Sequence, residues 1–329
     1  MKTLAFFNNK GGVGKTTLLY HLAWMFAGMG MRVLAADLDP QANLTSMFLP
    51  EPDLEKIWNP DNPQVRSIMA PLNPIIRGLG DIGPTPVQQI APNIRLIAGD
   101  LNLSNFESNL SDAWGKCLDR LEPAFRVTSS LFRITQAGAK DFDADLVLID
   151  VGPNFGAINR AALISADAVV IPVAPDLFSI QGLDNLGPTL SKWRDEWKAR
   201  LAQNPAPDLP LPQAVMRPLG YVVLQFGIRD SRPVQAYEKW ARRIPSTFRE
   251  KVLKLGADGV NDASKDAHCL GLLKHFRSLM PMAMEARKPV FQLKPADGAI
   301  GAHTQSVKNS EEDFRKLANK VLQALEFPC

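Results

Sequence analysis

Cysteine is scarce in this sequence, and long apolar runs are missing from it. The three cysteines among 329 residues are widely spaced and form no Cys-x-x-Cys pair, which argues against a disulfide framework and against a zinc site. No segment approaches the roughly 20 apolar residues of a membrane-spanning helix. The start of the sequence runs directly into glycines and lysines, unlike a leader peptide. With 46% hydrophobic residues, the chain is expected to be a globular cytoplasmic protein.

A strong net charge is also lacking, although the charges are unevenly distributed. The formal charge of +3 does not by itself indicate a nucleic-acid partner. Residues 229–254, here called the basic segment, hold eight basic side chains against three acidic ones. Such a surplus suits contacts with DNA phosphates, and a solvated helix face is the alternative interpretation. The candidate DNA-contacting residues are Arg229, Arg232, Lys239, Arg242 and Arg243.

Short apolar runs alternate with segments of helical periodicity along the chain. Runs at 3–8, 32–39, 94–98, 146–151, 168–173 and 221–226 predict strands, and 16–26 predicts a helix between the first two. This alternation predicts an α/β fold with a mostly parallel central sheet flanked by helices on both faces. We expect a single domain over 1–329, with surface insertions near 50–92 and 187–218, where prolines interrupt regular structure.

Residues 10–17, Lys-Gly-Gly-Val-Gly-Lys-Thr-Thr, lie between the first predicted strand and the first predicted helix and are here called the phosphate loop. Backbone N–H groups freed of side chains at glycines curl around a phosphate, and the helix dipole favours the same anion. Lys15 is expected to reach the β- and γ-phosphates, Thr16 to ligate Mg²⁺, and Thr17 to face the α-phosphate. The predicted nucleotide-binding residues of the loop are Gly11, Gly12, Val13, Gly14, Lys15, Thr16 and Thr17.

Acidic residues end two of the predicted strands. Asp37 and Asp39 lie on one side of the second strand, because side chains alternate along a strand, and ligands bind at the carboxyl ends of parallel strands. A turn is the alternative interpretation. Asp150 ends the apolar run 146–150, as the Mg²⁺-holding aspartate of Walker B strands does.

The phosphate loop departs from the general pattern, and the departure identifies a family. The general pattern places glycine six residues before the lysine, but Asn9 stands there and Lys10 follows it. The loop Lys-Gly-Gly-Val-Gly-Lys-Thr-Thr and the segment 37–43, Asp-Leu-Asp-Pro-Gln-Ala-Asn, resemble the ParA/MinD family of deviant Walker ATPases. That resemblance implies a homodimer with ATP sandwiched between its subunits.

The resemblance also implies roles for individual residues. Lys10 would reach across the dimer to the partner's nucleotide and act on the charge of the transferring phosphoryl group, as an arginine finger does. Asp39 would orient the attacking water, and Asp37 would support the site. Lys10, Lys15 and Asp39 are therefore the predicted catalytic residues, with ATP and Mg²⁺ as ligands.

The resemblance covers residues 1 to about 186 well and then thins. After Asp150 the family continues Asp-x-Pro-Pro, whereas this chain has Val-Gly-Pro-Asn, which puts the geometry of that loop in doubt. Gln225, near the end of a later strand, is a candidate adenine contact by resemblance, and a buried strand-end glutamine is the alternative. The four histidines share no metal-like spacing and are interpreted as surface or packing residues.

Two branches of the family remain open. The ParA branch implies nonspecific binding to double-stranded DNA, nucleoid association in the ATP-bound state, and an unidentified adaptor that stimulates hydrolysis. The MinD branch implies a basic amphipathic helix after the last core helix; a core helix is the stronger interpretation of the apolar stripe near 314–325, and we expect no further segment after it. We favour the ParA branch and retain membrane association as the alternative. An iron-protein-like reductase and a tyrosine kinase are disfavoured, because cluster cysteines and a terminal tyrosine cluster are missing.

Overall fold

The computed structural model describes residues 1–59, 66–224, 235–256, 258–274, 276 and 278–327, with the backbone alone at 235–237. Within these ranges eight strands form one β-sheet, in which all pairs given by register are parallel except β3 with β4. The predicted fold class, a mostly parallel sheet with helices, is confirmed. The strands are β1 Lys2–Phe6, β2 Val33–Asp37, β3 Gln88–Ala91, β4 Ile94–Ile97, β5 Leu146–Asp150, β6 Ala168–Val173, β7 Arg217–Val223 and β8 Cys269–Leu272.

Helices connect most of these strands. None of the helices in the described part of the chain combines the length and apolarity required to cross a membrane. The helices are α1 Lys15–Gly28, α2 Asn43–Phe48, α3 Glu51–Trp58, α4 Met69–Ile76, α5 Phe106–Lys116, α6 Glu122–Thr128, α7 Ser130–Phe142, α8 Ala157–Ile164, α9 Leu177–Leu201, α10 Gln235–Ala241, α11 Ile244–Thr247, α12 Leu279–Ala286 and α13 Ala302–Ala324.

The chain divides into two compact units. The first unit comprises 1–7, 27–169 and 190–217, and the second comprises 8–26, 170–189 and 218–329. The single-domain organisation stays a prediction.

In the first unit, five strands follow the order β3-β4-β2-β5-β1. Every residue of β2 and β5 is buried, as expected for central strands of a parallel sheet covered by helices. The register pairs Asp37 with Asp150 at the carboxyl ends of β2 and β5. The two predicted acidic strand ends therefore lie on neighbouring strands at one edge of the sheet.

The remaining strands follow in the order β6-β7-β8. They belong to the second unit, except for the first residues of β6 and β7, which belong to the first unit. The phosphate loop leads into α1, in which most apolar residues are buried. Helix α13 packs on β8, and most of the apolar stripe is at most 2% exposed, namely Phe314, Leu317, Val321 and the C-cap residue Leu325, whereas Leu322 is half-buried. The stripe is thus the core side of a globular helix.

The structure differs from the sequence-based prediction in several elements. Strands β3 and β8 were not predicted; β3 is antiparallel and polar, with the sequence Gln-Gln-Ile-Ala, and so lacks an apolar run. The described residues of 50–92 form α3, α4 and β3 in addition to irregular structure. Residues 187–201 extend α9 although Pro188 lies inside that helix, and Trp197 on this extension is fully buried.

Candidate functional site

The phosphate loop belongs to the second unit and has the backbone of an anion cradle. Gly12 and Gly14 adopt φ values of +72° and +89°, which side-chain-bearing residues rarely adopt. Helix α1 begins directly at Lys15, and its first turn contains no acidic residue that would neutralise the positive end of its dipole. Lys15 is 6% exposed. The loop therefore offers backbone N–H groups, a helix N-terminus and a buried cation to one phosphate chain.

Asn8 fixes the start of the loop. This side chain is 1% exposed, and its amide donates to the carbonyl of Pro172 at 2.6 Å. Its Oδ1 accepts from the backbone N–H of Lys10 at 2.9 Å. The buried Asn8 side chain, just before the loop, thus holds the backbone at the start of the loop in position.

Lys10 lies in the loop, as predicted, and has a carboxylate partner in the same unit. Its ammonium forms an ion pair with Asp176, and it lies 5.8 Å from the ring centroid of Phe178. The hydrogen bond from Lys10 helps to lower the pKa of Asp176, against a desolvation that raises it. The Phe178 side chain is 65% exposed. In the isolated chain, the additional lysine is therefore already engaged with an anion at the start of α9.

An apolar cavity of about 250 Å³ adjoins the phosphate loop within the second unit. Thr17 and Leu18 are among its lining residues, and ligand pockets are typically lined by apolar side chains in this way. Gln225, the adenine contact suggested by resemblance, lies outside the described residues, and the residues that line this cavity were not predicted. Besides loop and α1 residues, the cavity is lined by Leu224, Leu273, Lys274, Phe276, Met280 and Phe314.

His21 links the first turns of α1 to the wall of this cavity. It is fully buried, with Nδ1 2.7 Å from the carbonyl oxygen of Thr17, and its Nε2 accepts from the N–H of Val290 at 3.1 Å. Its ring stacks on Phe314 at 4.9 Å. Burial lowers the pKa of His21 to about 4, which keeps the imidazole neutral. The expected packing role is correct, but the link to the loop was not predicted.

Asp37 is fully buried at the end of β2 in the first unit. Its Oδ2 accepts from the N–H and the hydroxyl of Thr45 at 2.8 and 2.7 Å. Burial raises the pKa of Asp37 to about 7, although the two bonds from Thr45 lower it. A Cβ built on Gly99 would lie 2.8 Å from Cγ of Asp37, so only glycine fits beside the carboxyl group. Asp37 therefore holds α2 and the turn before it in position.

Asp39 and Asp150 are the other predicted carboxylates of the first unit. Asp39 is 7% exposed, and its Oδ1 accepts from the N–H of Gln41 at 3.0 Å. Asp150 is fully buried, and its carbonyl oxygen accepts from the N–H of Leu38 at 3.0 Å, tying the two strand ends together.

The residues predicted to hold Mg²⁺ suit that ion chemically. The carboxylate of Asp150 and the hydroxyl of Thr16 are oxygen ligands, and Mg²⁺ is commonly held by one or two carboxylates together with substrate phosphates. Within the described residues, no three His, Cys, Asp or Glu side chains cluster as an all-protein metal site requires. Each of these two oxygen donors is by its chemistry a suitable ligand for Mg²⁺.

The loop after Asp150, where the sequence departs from the family pattern, is fixed by two side chains. The Asn159 amide donates to the carbonyl oxygens of Gly152 and Asn154 at 2.8 and 2.7 Å. Glu107 accepts from the N–H groups of Ala157 and Ile158 at the start of α8, the latter at 2.9 Å. A Cβ built on Gly152 would lie 3.3 Å from Oδ1 of Asp39. The glycine thus brings this loop backbone close to the predicted water-orienting carboxylate.

The described part of the basic segment belongs to the second unit and is only partly available for binding. Arg249 donates to the carbonyl of Gly256 at 2.6 Å and pairs with Asp258 at 3.3 Å, so it holds its own loop. Arg242 is 62% exposed but pairs with Glu238 at 3.0 Å. Lys239 and Arg243 are exposed and lie 5.1 and 5.2 Å from the ring of Trp240. Arg229 and Arg232 lie outside the described residues.

Comparison with known proteins identifies the family. A protein-family model described as an AAA domain, AAA_31, matches residues 1–203. The chromosome partitioning protein ParA of Caulobacter vibrioides is 29% identical over 201 residues, which cover 61% of this chain and 66% of that protein. The sporulation initiation inhibitor protein Soj of Bacillus subtilis is 31% identical over 186 residues, covering 56% of this chain and 63% of Soj. The chain thus matches less than two thirds of the length of these curated relatives.

Solved structures resemble the chain over nearly its whole length. Protein DIP2308 from Corynebacterium diphtheriae is 26% identical with a TM-score of 0.73, and the match covers 99% of both chains. McdA from Cyanothece in complex with ATP is 18% identical with a TM-score of 0.64, covering 100% of this chain and 98% of McdA; at this identity the likeness concerns the fold alone. Together with the phosphate loop and the family model, these findings show that the chain belongs to the AAA_31 family and to the ParA/MinD family of deviant Walker proteins.

Proposed function

We propose that this protein is an ATP-dependent dimerising ATPase of the ParA type that positions plasmid, chromosome or protein cargo by binding DNA nonspecifically in its ATP-bound state. The observation that carries the proposal is the phosphate loop, in which glycines at φ +72° and +89° precede a buried Lys15 at the start of α1 and in which Lys10 is also present. The partition proteins among the relatives support the same function. Association with the nucleoid in the ATP-bound state is part of the proposal.

The proposed catalytic roles follow from the chemistry of the side chains. Lys15 binds the β- and γ-phosphates, and Thr16 and Asp150 hold Mg²⁺. When bound, Mg²⁺ neutralises charge on the phosphate oxygens. Asp39 orients the attacking water, while Asp37 keeps the turn that carries Asp39 in place through Thr45.

Lys10 is proposed to act on the nucleotide of a partner subunit. Its present partner is the Asp176 carboxylate, at the surface of the second unit, with 29% of the Lys10 side chain exposed. A phosphate group carries more negative charge than one carboxylate and competes for the same ammonium. ATP bound to a second copy therefore offers Lys10 a stronger partner than ADP does.

The proposed DNA-binding surface consists of Lys239, Trp240 and Arg243, with Arg242 contributing less because Glu238 offsets its charge. Sequence-independent binding requires only exposed cations that meet phosphates. Dimerisation brings two such surfaces to one duplex, which raises the affinity above that of either surface. Nucleotide state thereby controls DNA binding, and an unidentified adaptor is proposed to stimulate hydrolysis.

The test measures DNA and membrane binding on one preparation. With Mg²⁺ and a slowly hydrolysed ATP analogue, we expect retention of random-sequence duplex DNA at low salt and loss of this retention with ADP. Anionic liposomes should not retain the protein, because the apolar stripe of α13 is packed in the core. Liposome retention in ATP without DNA retention would instead establish the membrane-associated alternative.

The dimer is tested separately with Lys10→Ala. Light scattering of the wild-type chain should show an ATP-dependent dimer, and Lys10→Ala should weaken it. Lys192→Ala, at an exposed lysine whose nearest carboxylate partner is 3.9 Å away, is the matched control. A Lys10→Ala chain that dimerises and hydrolyses ATP like the control would remove the assigned role.

A further inference from the structure

Helix α9 contacts, through a glycine, the two asparagines that directly precede the phosphate loop. A Cβ built on Gly182 would lie 2.8 Å from Oδ1 of Asn9 and 3.2 Å from Oδ1 of Asn8. Asn8 in turn holds the loop backbone through the N–H of Lys10. The absence of a side chain at this position allows α9 to lie directly against the residues that fix the loop.

A second glycine of α9 contacts the basic segment. A Cβ built on Gly187 would lie 1.9 Å from the carbonyl oxygen of Lys251 and 2.8 Å from Cα of Val252. These are backbone atoms, so no side-chain rotation relieves the clash. Gly187 is five residues after Gly182, which at 100° per residue turns it about 140° around the helix axis. The residues that lead into the loop and the basic segment therefore contact different sides of one helix.

The start of α9 is also joined to the loop by charge. Asp176, directly before the helix, pairs with Lys10 and accepts from the N–H of Ser179 at 2.9 Å. The residue that pairs with the loop lysine thus also caps the helix that contacts the basic segment. A change in the partner of Lys10 alters the charge at the first turn of α9.

The contacted part of the basic segment leads directly to the exposed cations. Lys251 lies in a π-helical turn, Phe248–Val252, and Phe248 is fully buried against Tyr221 at 5.1 Å. This turn follows α11, which begins immediately after Arg243. A displacement of the backbone at Lys251 is therefore carried to Arg243 through a short, packed segment.

We infer that α9 couples the nucleotide at the phosphate loop to the DNA-binding surface, through Gly182 on the loop side and Gly187 on the basic-segment side. This inference rests on the proposed function and names its regulation. When Lys10 leaves Asp176 for a phosphate, the first turns of α9 lose an ion pair, and the helix shifts against both contacts. Close backbone packing at Gly187 passes that shift to Lys251, because packed contacts without an intervening side chain cannot absorb it.

The inference is tested with Gly187→Ala against a matched control, Gly115→Ala. Both glycines lie inside helices, but a Cβ on Gly115 meets nothing within 4 Å. In the wild type and the control, DNA affinity should differ between the ATP analogue and ADP by roughly tenfold or more, a usual size for coupling between sites. Gly187→Ala should bring that ratio close to one, while ATP hydrolysis without DNA and the ATP-dependent dimer remain unchanged.

The possible results separate the inference from the proposed function. If the wild type binds no DNA in either state, the proposed function fails. If the wild type responds to ATP and Gly187→Ala keeps the same ratio, even at lower affinity in both states, the coupling through α9 is wrong.

Hydrogen exchange on the unmodified chain covers the case in which Gly187→Ala does not fold. Exchanging ADP for the ATP analogue should change amide exchange both in 177–189 and in 244–252. A response in 177–189 without one in 244–252 would overturn the inference, since the basic segment would then not follow the helix.

Discussion

The phosphate loop and the basic segment both bind phosphate groups in the proposed function, but they are built differently. The loop is eight consecutive residues whose backbone angles, helix start and buried lysine form one cradle. The basic segment is a set of charged side chains on short helices and turns, of which Lys239 and Arg243 lie on Trp240 while Arg249 holds its own loop.

The difference lies in what each kind of binding requires. A nucleotide phosphate held by backbone N–H groups needs fixed geometry, and fixed geometry needs glycines at fixed spacing, so the sequence alone identifies the loop. Nonspecific DNA binding needs only exposed cations. Counting charges cannot tell an exposed cation from one that is committed to a neighbour, as the ion pairs of Arg242 and Arg249 illustrate.

The largest effect is expected from removing the buried lysine of the phosphate loop. Lys15→Ala should lower kcat for Mg-dependent ATP hydrolysis at least about 1000-fold, the upper range for removing one preorganised donor from developing charge. ATP binding should weaken as well, because Lys15 contacts phosphates in the ground state. Hydrolysis assays and titration with a fluorescent ATP analogue measure both. Parental turnover in this variant would show that the site is wrongly assigned.

Asp39→Ala should separate chemistry from binding. Loss of the water-orienting carboxylate should reduce kcat about 100- to 10,000-fold, the range for removing a positioned acid–base group, while the phosphate cradle keeps its affinity. The variant should therefore accumulate as an ATP-bound dimer, measurable by light scattering. Asp141→Ala, at an exposed aspartate of the same unit, is the control. Normal turnover in Asp39→Ala would assign the water to another residue.

The sequence predicted the strands that are marked by apolar residues close together in the chain. Strands β1, β2, β4, β5, β6 and β7 were found because each contains a short apolar run, although β7 begins at Arg217 rather than at Tyr221, and 225–226 of that prediction lie outside the described residues. The register of Asp37 with Asp150 agrees with the expected meeting of acidic strand ends. The edge strand β3 was missed because Gln88 and Gln89 give it no apolar run.

What the sequence could not predict depends on residues that are distant along the chain. The cavity beside the loop is formed by Leu224, Phe276 and Phe314 from three separate elements. The link from His21 to Val290 spans 269 positions. A histidine on the buried face of a helix gives no signal of its partners, which only tertiary packing supplies.

The free energy of unfolding should depend on pH through His21, which packs beside the phosphate loop. The pKa of His21 is about 4 in the folded chain and about 6.5 in the unfolded chain, so its contribution is complete above pH 6.5 and is lost as pH falls toward 4. Between pH 7.5 and pH 5 this loss should reach about 2 kcal/mol. Because the raised pKa of Asp37 stabilises the folded chain over the same fall in pH, urea unfolding at both pH values measures the His21 loss as the difference between the wild type and His21→Gln. His21→Gln, which does not titrate, should lose less; an equal loss in both would contradict the assignment.

The smallest expected effect concerns the exposed cations. Each phosphate contact releases condensed counterions, so removing one contact should reduce the slope of log affinity against log salt by about one. Arg243→Ala should do so, whereas Arg242→Ala should change the slope less, because Glu238 lies 3.0 Å from its guanidinium. DNA titrations from low to moderate salt with the ATP analogue measure both slopes. Equal slopes in Arg243→Ala and the wild type would remove this surface from DNA binding while leaving the phosphate loop assignment intact.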